Sequence, residues 1–568
     1  KILRQRRNRG LMMRNDKYIG FIILVLFLLG VTASLTLSVN FYKAESSFDE
    51  NRTSTISESQ IGFPGCRYGV TYGSTVDESS QLEWLDDLGA GWFSSFNTDA
   101  GGEAPNGSEF VPLIWVQQHR LAGEYLPTFS ISPQLTEAGL GSLIADRRGA
   151  LWIVGSEVDR GPQPGSQAPR GTFPEIYAQA YHQAYHFIKD RDPTALVAIS
   201  GLVEVTPGRL SYLDLVWNSY LDRYHVPMPV DVWNMHIYIL PEVNSQGQAN
   251  GIASVAMGTD PAIGKKGSYD PDGSGPLSNR DTCDLEEVYC VAEHDEVTIF
   301  AQQVEAMRRW MANHGQRTKP LIMSEFSLIY PNEQDGATCW LQDEFGKCFT
   351  QDRVLEYMDD TLAFLTTARN ETFGLALDDN RLVQQWLWFS IANTPSVGNI
   401  SDLVAFDDQS GSLTGLTPVG DRYRAWAKTE QLFPNLLLDG LSSSIAFTSD
   451  PGGTAAAKLK VIVGNNGNID VSVPFSVTFY ADSDLTQVIA STSVPITGTD
   501  SPGFPVPGCA RRTIMAEAIW GDLSPGLHQY WVVIDSSSQI VESDEGDNGI
   551  SGFVIINPQQ IFLPVVRR

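Results

Sequence analysis

Two glutamates stand at equivalent places in two similar stretches of the chain. Residues 151–157 read LWIVGSE and residues 319–325 read KPLIMSE, so Glu157 and Glu325 each follow an apolar run and a serine. Such a run suits a strand buried on both faces, where a terminal carboxylate without a partner is costly to desolvate. A glutamate already in a solvated loop is the alternative. If the two carboxylates meet, they can share acid–base or nucleophilic chemistry.

The elements around these glutamates alternate between strand-like and helix-like runs. The strand-like runs are residues 67–73, 91–96, 110–117, 151–159, 196–205, 230–240, 320–329 and 382–391. Amphipathic stretches separate them, which predicts βαβ units and a parallel sheet. Eight repeats over residues 61–434 favour an α/β fold of the closed (β/α)8, or TIM, barrel type. Catalytic residues of such barrels stand at the C-terminal strand ends, so Glu157 and Glu325 would meet at one mouth.

Two carboxylates at one barrel mouth suit the cleavage of a glycosidic bond. One carboxylic acid protonates the leaving oxygen, while the other carboxylate attacks the anomeric carbon or activates water, and their separation decides between retention and inversion. Two further motifs lie at strand ends. Residues 231–238 read DVWNMHIY and residues 385–388 read QWLW.

With these four motifs in order, the barrel resembles the clan A glycoside hydrolases from about residue 62 to 433. The resemblance implies that Glu157 is the acid/base on strand four and that Glu325 is the nucleophile on strand seven. It also implies that His236 and Tyr238 orient the substrate and hydrogen-bond the nucleophile. A tryptophan of the eighth strand, Trp388 or Trp386, would stack on a sugar ring.

Three other features bear on the same site. Trp115, at the end of the third strand, lines a sugar subsite or belongs to the core. Ser156 stands where most of the clan has an asparagine that binds the sugar 2-hydroxyl. An insertion over residues 241–295 leaves the catalytic end of strand six, and a lid or a subsite wall is a plausible role for it.

After Pro434 the sequence pattern changes to short β-rich segments with turns between them. This pattern predicts an antiparallel sandwich over residues 440–558. The phrases VGNNGN (463–468), LSPG (523–526) and VESDEGDN (541–548) resemble the CARDB-type immunoglobulin-like modules of bacterial secreted proteins. The resemblance implies adhesion, spacing or self-association. The acidic residues of the last phrase form a Ca²⁺ site or a solvated turn.

The charge distribution predicts an exported protein. The formal net charge of −28 argues against nucleic acid or anionic lipid as a partner of the folded part. Residues 1–17 are basic, and residues 18–42 carry no charge and are long enough to span a bilayer. We therefore expect a cytoplasmic flank (1–17), a membrane anchor or signal segment (18–42), a flexible stalk (43–60) and a C-terminal tail (559–568). The protein would then be extracellular at the cell surface, or secreted if residues 18–42 are cleaved.

Six cysteines in an exported chain indicate disulfides rather than a metal site. Cys283 with Cys290, and Cys339 with Cys348, are the economical local pairs. Whether Cys66 and Cys509 meet is open.

The sequence thus predicts an extracellular retaining hydrolase of a β-linked polysaccharide or oligosaccharide that needs no metal or organic cofactor. Two alternatives remain open. One is an inactive barrel that kept glycan binding, and the other is a structural or adhesive surface protein.

Overall fold

The structure is a computed structural model. It describes residues 65–105, 107–161, 171–249, 251–268, 283–329, 343–394, 400–429, 431–446, 455–494 and 506–556. The predicted cytoplasmic flank, membrane segment, stalk and C-terminal tail lie outside these ranges. No helix within the ranges has the length and apolar character needed to cross a bilayer.

Strands and helices alternate through the first part of the chain. The strands are β1 (Tyr68–Thr71), β2 (Trp92–Ser94), β3 (Glu109–Val111), β4 (Leu113–Leu121), β5 (Glu124–Ser132), β6 (Leu151–Ser156), β7 (Leu196–Gly201), β8 (Trp233–Ile237), β9 (Lys266–Gly267), β10 (Val288–Tyr289), β11 (Leu321–Phe326), β12 (Gln385–Phe389), β13 (Val404–Asp407) and β14 (Ser412–Leu416). The α-helices are α1 (Glu78–Leu82), α2 (Leu85–Leu88), α3 (Ser142–Asp146), α4 (Pro174–Arg191), α5 (Pro207–Tyr224), α6 (Val297–Asn313), α7 (Gln351–Thr367) and α8 (Pro418–Thr429). Single turns of other helix types are Glu137–Gly141, Pro261–Ile263, Val291–Glu293 and Ala376–Asp378.

The strands build a curled parallel sheet. One sheet has the order β3-β2-β1-β12-β11-β8, and all its pairs are parallel. A second has the order β5-β4-β6-β7, parallel except for the β4–β5 hairpin. Pro112 alone separates β3 from β4 in the chain. Ala198 of β7 pairs with Val232, the residue before β8, in an isolated parallel bridge. The two sheets therefore adjoin at both of these places.

The parallel strands are buried on both faces, as the apolar runs predict. Alternate side chains form an inner cluster on one face: Trp92, Val111, Leu113, Leu151, Ile153, Ala198, Val232, Ile322 and Leu387. The other face packs against the helices and forms the larger core. This double burial leaves the strand ends as the places for polar chemistry.

The last part of the chain is all β. Its strands are β15 (Leu436–Ala446), β16 (Ala455–Asn465), β17 (Phe475–Tyr480), β18 (Val488–Val494), β19 (Ile514–Leu523), β20 (Gly526–Ile534) and β21 (Gly549–Ile556). They form two antiparallel sheets, β15-β16-β19 and β18-β17-β20-β21. Their inward faces share a separate hydrophobic core that includes Leu459, Phe479 and Val532.

Disulfides and one buried ion pair fix the chain at defined points. Cys283 and Cys290 are bonded, as predicted. Cys66 is bonded to Cys509, a pairing that the sequence left open. Cys348 is also disulfide-bonded, and its predicted partner Cys339 lies outside the described residues. Beside Cys66, Arg67 donates to Asp378 Oδ1 at 2.9 Å and to the carbonyl oxygen of Asn466 at 3.0 Å. The parallel and antiparallel parts are therefore joined covalently and by buried polar contacts.

Candidate active site

Glu157 follows the last residue of β6, where the backbone turns sharply. Gly155 has φ +89° and Glu157 has φ +48°. A side chain at Gly155 would also clash, because its Cβ would lie 2.7 Å from Val158 Cγ1. The Glu157 amide donates to the carbonyl oxygen of Gly201 on β7 at 3.0 Å. This turn holds a glutamate that is only 6% exposed at the C-terminal end of its strand.

Glu325 lies near the end of β11 beside an irregularity in the sheet. The register between β11 and β8 shifts between Met323 and Glu325, so that Glu325 pairs with His236. The hydroxyl of Tyr238 donates to Glu325 Oε2 at 3.2 Å. The side chain of Glu325 is 12% exposed. One carboxylate oxygen of Glu325 is therefore held by a directed donor.

The imidazole of His236 lies between the two glutamates. Its Nδ1 is 3.5 Å from Glu157 Oε1 and 3.7 Å from Glu325 Oε2. Its Nε2 is 2.9 Å from Ser324 Oγ. One oxygen of each glutamate and a ring nitrogen of His236 all lie within 4.8 Å of one another. Burial disfavours the imidazolium, but the charges of Glu325 and Glu157 outweigh it, so the pKa of His236 is raised above its ordinary value.

Arg160 contacts the same site from the turn after β6. Its Nη1 donates to Glu157 Oε2 at 3.1 Å. The Arg160 side chain is 30% exposed, whereas that of Glu157 is 8% exposed. The guanidinium therefore lies at the solvent side of Glu157.

A buried ion pair supports the turn that carries Glu157. Arg209 of α5 donates to Asp159 Oδ2 at 2.8 Å, and both side chains are fully buried. Arg209 also donates to the carbonyl oxygens of Ala253 at 2.9 Å and Ser254 at 2.6 Å. Burial raises the pKa of Asp159, although Arg209 opposes this change. The insertion after strand six is thereby fixed beside Glu157.

A narrow cavity opens at Glu325 and His236 and contains about 270 Å³ of empty space, open solvent included. Its lining residues are Thr71, Ser94, Ser95, Phe96, Leu113, Ile153, Gly155, Ser156, His236, Ser324 and Glu325. Ser156 thus faces the same space as Glu325. Trp115 is partly buried against the inner cluster beside this cavity and donates to the carbonyl oxygen of Phe96.

The two tryptophans of β12 lie elsewhere. Trp386 and Trp388 are both fully buried. Trp388 donates to the carbonyl oxygen of Ser401 at 2.8 Å and packs edge-on against Phe326. Side chains alternate along a strand, so these two share the helix-facing side while Leu387 joins the inner cluster. The structure therefore does not bring either indole to the carboxylates.

Several contacts of the site were not predicted from the sequence. A Cβ at Gly201 would lie 2.3 Å from His236 Cδ2, so this position has to be small. Ser324 binds His236, and Phe96 lines the cavity. Arg160 alone had a readable signal, because it follows Glu157 by three residues.

The side chains of Glu157, His236 and Glu325 also have the donor types of a metal site. Arg160 and Tyr238 each occupy one carboxylate oxygen of this group. Cys283, Cys290 and Glu344 lie equally close together, but the two cysteines are bonded to each other. Each carboxylate of this group therefore already accepts from a directed donor.

No protein-family model matches the chain, and no curated protein matches its sequence. Among solved structures, the chain is similar over 22% of its length to a CARDB domain of Pyrococcus furiosus in complex with di-metal ions (17% identity, TM-score 0.17, covering 96% of that domain). The chain is also similar to a GH30 endoxylanase of Clostridium papyrosolvens (12% identity, TM-score 0.33, covering 81% of this chain and 97% of the enzyme). A Bacteroides uniformis beta-glucuronidase gives 11% identity and a TM-score of 0.33, covering 87% of this chain but only 46% of that enzyme. Likenesses this low carry no argument about activity, which has to come from the site itself.

Proposed function

We propose that this protein is an extracellular glycoside hydrolase that cleaves a β-linked glycan with retention of configuration. Glu157 acts as acid/base and Glu325 as nucleophile. One observation carries the proposal: an oxygen of each glutamate lies within 4.8 Å of an oxygen of the other, on either side of His236. Retaining enzymes hold their carboxyl groups about 5 to 5.5 Å apart, whereas inverting enzymes need about 6.5 to 9.5 Å to admit a water.

The reaction follows from the contacts of each group. Glu325, held by Tyr238, attacks the anomeric carbon while Glu157 gives its proton to the leaving oxygen. Glu157 then takes a proton from the water that releases the glycosyl group from Glu325. His236 and Ser156 lie at the cavity and are assigned to substrate contact. Trp386 and Trp388 are not, because both pack on the helix-facing side of β12 and neither lines the cavity.

The same proposal covers the larger organisation of the chain. Residues 61–434 form a (β/α)8 barrel, and residues 440–558 form a CARDB-type sandwich. The pairing of each parallel strand with the next supports the first assignment. Export is supported by the disulfides Cys66–Cys509 and Cys283–Cys290, which persist in oxidising compartments.

The test is hydrolysis of a panel of β-glucans, mannans and xylans by the full chain. Glu325→Gln is expected to lower kcat/KM at least about 1,000-fold, and Glu157→Gln about 100- to 10,000-fold. Glu305→Gln is the matched control, because Glu305 is exposed on α6 and pairs with Arg309 on the same helix. NMR of the first product should show the β anomer. An α anomer, or full activity in Glu325→Gln, would contradict the proposal.

A second candidate is a glycan-binding barrel without catalysis. Ser156 in place of an asparagine favours it, because a shorter side chain reaches less far toward a sugar hydroxyl. Undiminished glycan binding together with no turnover on any member of the panel would select this alternative.

A further inference from the structure

A second cavity lies at the opposite ends of the parallel strands from the two glutamates. Its walls include Leu196, the first residue of β7, and Pro320, which precedes β11. The length of β11 separates Pro320 from Glu325, which is roughly 17 Å at about 3.3 Å per residue. The cavity contains about 1140 Å³ of empty space, open solvent included, against about 270 Å³ at Glu325. It is therefore separate from the candidate active site and has room for a small molecule.

Both parts of the chain contribute cations to this cavity. The parallel part supplies Arg317 and Lys319 from the segment before β11. The antiparallel part supplies Arg511 and Arg512 from the segment before β19. Cys509, a member of the disulfide that joins the two parts, comes just before them in the chain. Four cations from two distant segments therefore line one space.

Two of these cations have no carboxylate beside them. Among the residues that the structure describes, neither Arg317 nor Lys319 has a carboxylate oxygen within 4.0 Å. Arg317 donates instead to the carbonyl oxygens of Gly374 at 3.1 Å and Glu371 at 2.6 Å. These contacts hold the guanidinium in place without neutralising its charge. Since a charge in a partly enclosed space is costly without a counterion, the pair indicates an anion site.

Arg511 and Arg512 add two neighbouring like charges. Arg511 is paired with Glu109, and Arg512 donates to the carbonyl oxygen of Gly149 at 2.6 Å. Burial, and then the charge of Arg512, lower the pKa of Arg511 to about 9. A guanidinium stays charged in proteins, so the two side chains repel each other. An anion that contacts both would relieve this repulsion.

Two carboxylates line the same cavity and reduce its positive charge. Asp231 is already paired with Lys189, whose Nζ lies 3.1 Å from its Oδ2. Asp439 is exposed on β15. Four cations and two carboxylates leave the lining with a net charge of +2. This local excess stands against a formal net charge of −28 for the whole chain.

We propose that this cavity binds a phosphate group, either as inorganic phosphate or as the ester of a small molecule. A phosphate carries about 1.5 to 2 negative charges at neutral pH, which matches the excess charge of the lining. Its oxygens point in several directions, so cations from two segments can hold it together. A carboxylate is planar and is matched by a single guanidinium fork. The inference does not depend on the proposed function, because none of these cations lies at the glutamates.

The experiment is calorimetric titration of the full chain with inorganic phosphate, glycerol 3-phosphate and acetate at one ionic strength. Wild type should bind both phosphates and bind acetate at least about 10-fold more weakly. Lys319→Gln removes one hydrogen bond to a charged group and should weaken phosphate binding at least about 10-fold. Lys319→Arg keeps the charge and should retain binding. Lys428→Gln is the matched control, because Lys428 is exposed on α8 and does not line the cavity.

Thermal unfolding provides a second readout. A ligand that binds only the folded chain raises Tm, so phosphate should raise the Tm of wild type and Lys428→Gln more than that of Lys319→Gln. Thr318→Glu is the second variant, because Thr318 is exposed at the cavity and a carboxylate there repels an anion. It should weaken phosphate binding without removing a cation.

The relative affinities also separate the two sources of the phosphate group. Tighter binding of glycerol 3-phosphate than of inorganic phosphate supports an esterified ligand, and equal binding supports the phosphate group alone. A Kd above about 1 mM for both in wild type, or equal binding of acetate, overturns the proposal. Undiminished phosphate binding in folded Lys319→Gln or Thr318→Glu overturns it as well.

Discussion

The imidazole of His236 stands between the two glutamates, and its position depends on the absence of a side chain at Gly201. The sequence predicts Glu157 and Glu325 as site candidates because each follows an apolar run that reads as a strand, and the resemblance to clan A glycoside hydrolases implies His236 and Tyr238. Gly201 carries no such signal, because its role is to leave room for a ring from the next strand. The spacing of Arg160, three residues after Glu157, is a signal that the sequence does carry, but it does not show that the two side chains meet. The contact of its guanidinium depends on the turn at Glu157, which periodicity does not reveal.

Gly201→Ala tests this dependence at the scale of one methyl group. The new Cβ would lie 2.3 Å from both Cδ2 and Nε2 of His236, so the ring has to move. A displacement of about 1 Å near reacting groups costs about 100-fold in rate, and we expect a loss of that order in kcat/KM. Gly415→Ala is the control, because a methyl group there meets nothing within 4 Å. Wild-type activity in a folded Gly201→Ala protein would show that the ring position is unimportant.

At the scale of elements, the sequence predicts most of the parallel strands but misplaces the ends of some of them. The expected third strand over residues 110–117 is divided by Pro112 and continues as the hairpin of β4 and β5 to Ser132. The sixth strand ends at Ile237 rather than at residue 240. Trp386 and Trp388 show most clearly what the sequence does not predict, which is the face of a strand on which a side chain lies. The motif QWLW identifies a strand, but which of its alternating faces lies inward is decided by the register with β1 and β11.

His294 links the insertion to two strand ends and should make stability depend on pH. Its Nδ1 is 3.2 Å from the carbonyl oxygen of Ile239, and its Nε2 accepts from the Ile329 amide at 3.0 Å. Burial lowers the pKa of His294 from 6.5 to about 4. A lowered pKa means that protonation favours the unfolded chain, so stability is lost as pH falls from 6.5 towards 4.

The shift corresponds to a loss of about 3 kcal/mol in the free energy of unfolding. Urea unfolding of wild type and His294→Gln at pH 7 and pH 4 measures it as the difference between the two pH effects, since the other titrating groups are common to both. Equal pH effects in the two proteins would mean that His294 does not titrate as this burial requires.

At the scale of the whole molecule, the sequence predicts a change from alternating strands and helices to an all-β part after Pro434. It does not predict how the two parts are joined. Cys66 and Cys509 are 443 residues apart, and nothing in their spacing indicates that they bond. Arg67 and Asp378 form a buried ion pair beside this disulfide, and nothing in the sequence indicates that pair either. Such contacts between distant segments depend on packing, which a local pattern does not encode.

In the proposed reaction of the whole molecule, Glu325 forms a covalent bond to the sugar while Glu157 supplies the proton. Incubation of the full chain with an activated 2-deoxy-2-fluoro β-glycoside of its substrate slows the release step and lets the glycosyl-enzyme be isolated. Peptide mass spectrometry of the trapped protein is then the direct measurement. The covalent mechanism predicts one added glycosyl group, carried by Glu325 and absent in Glu325→Gln. A label on another residue, or turnover with no label at all, would contradict it.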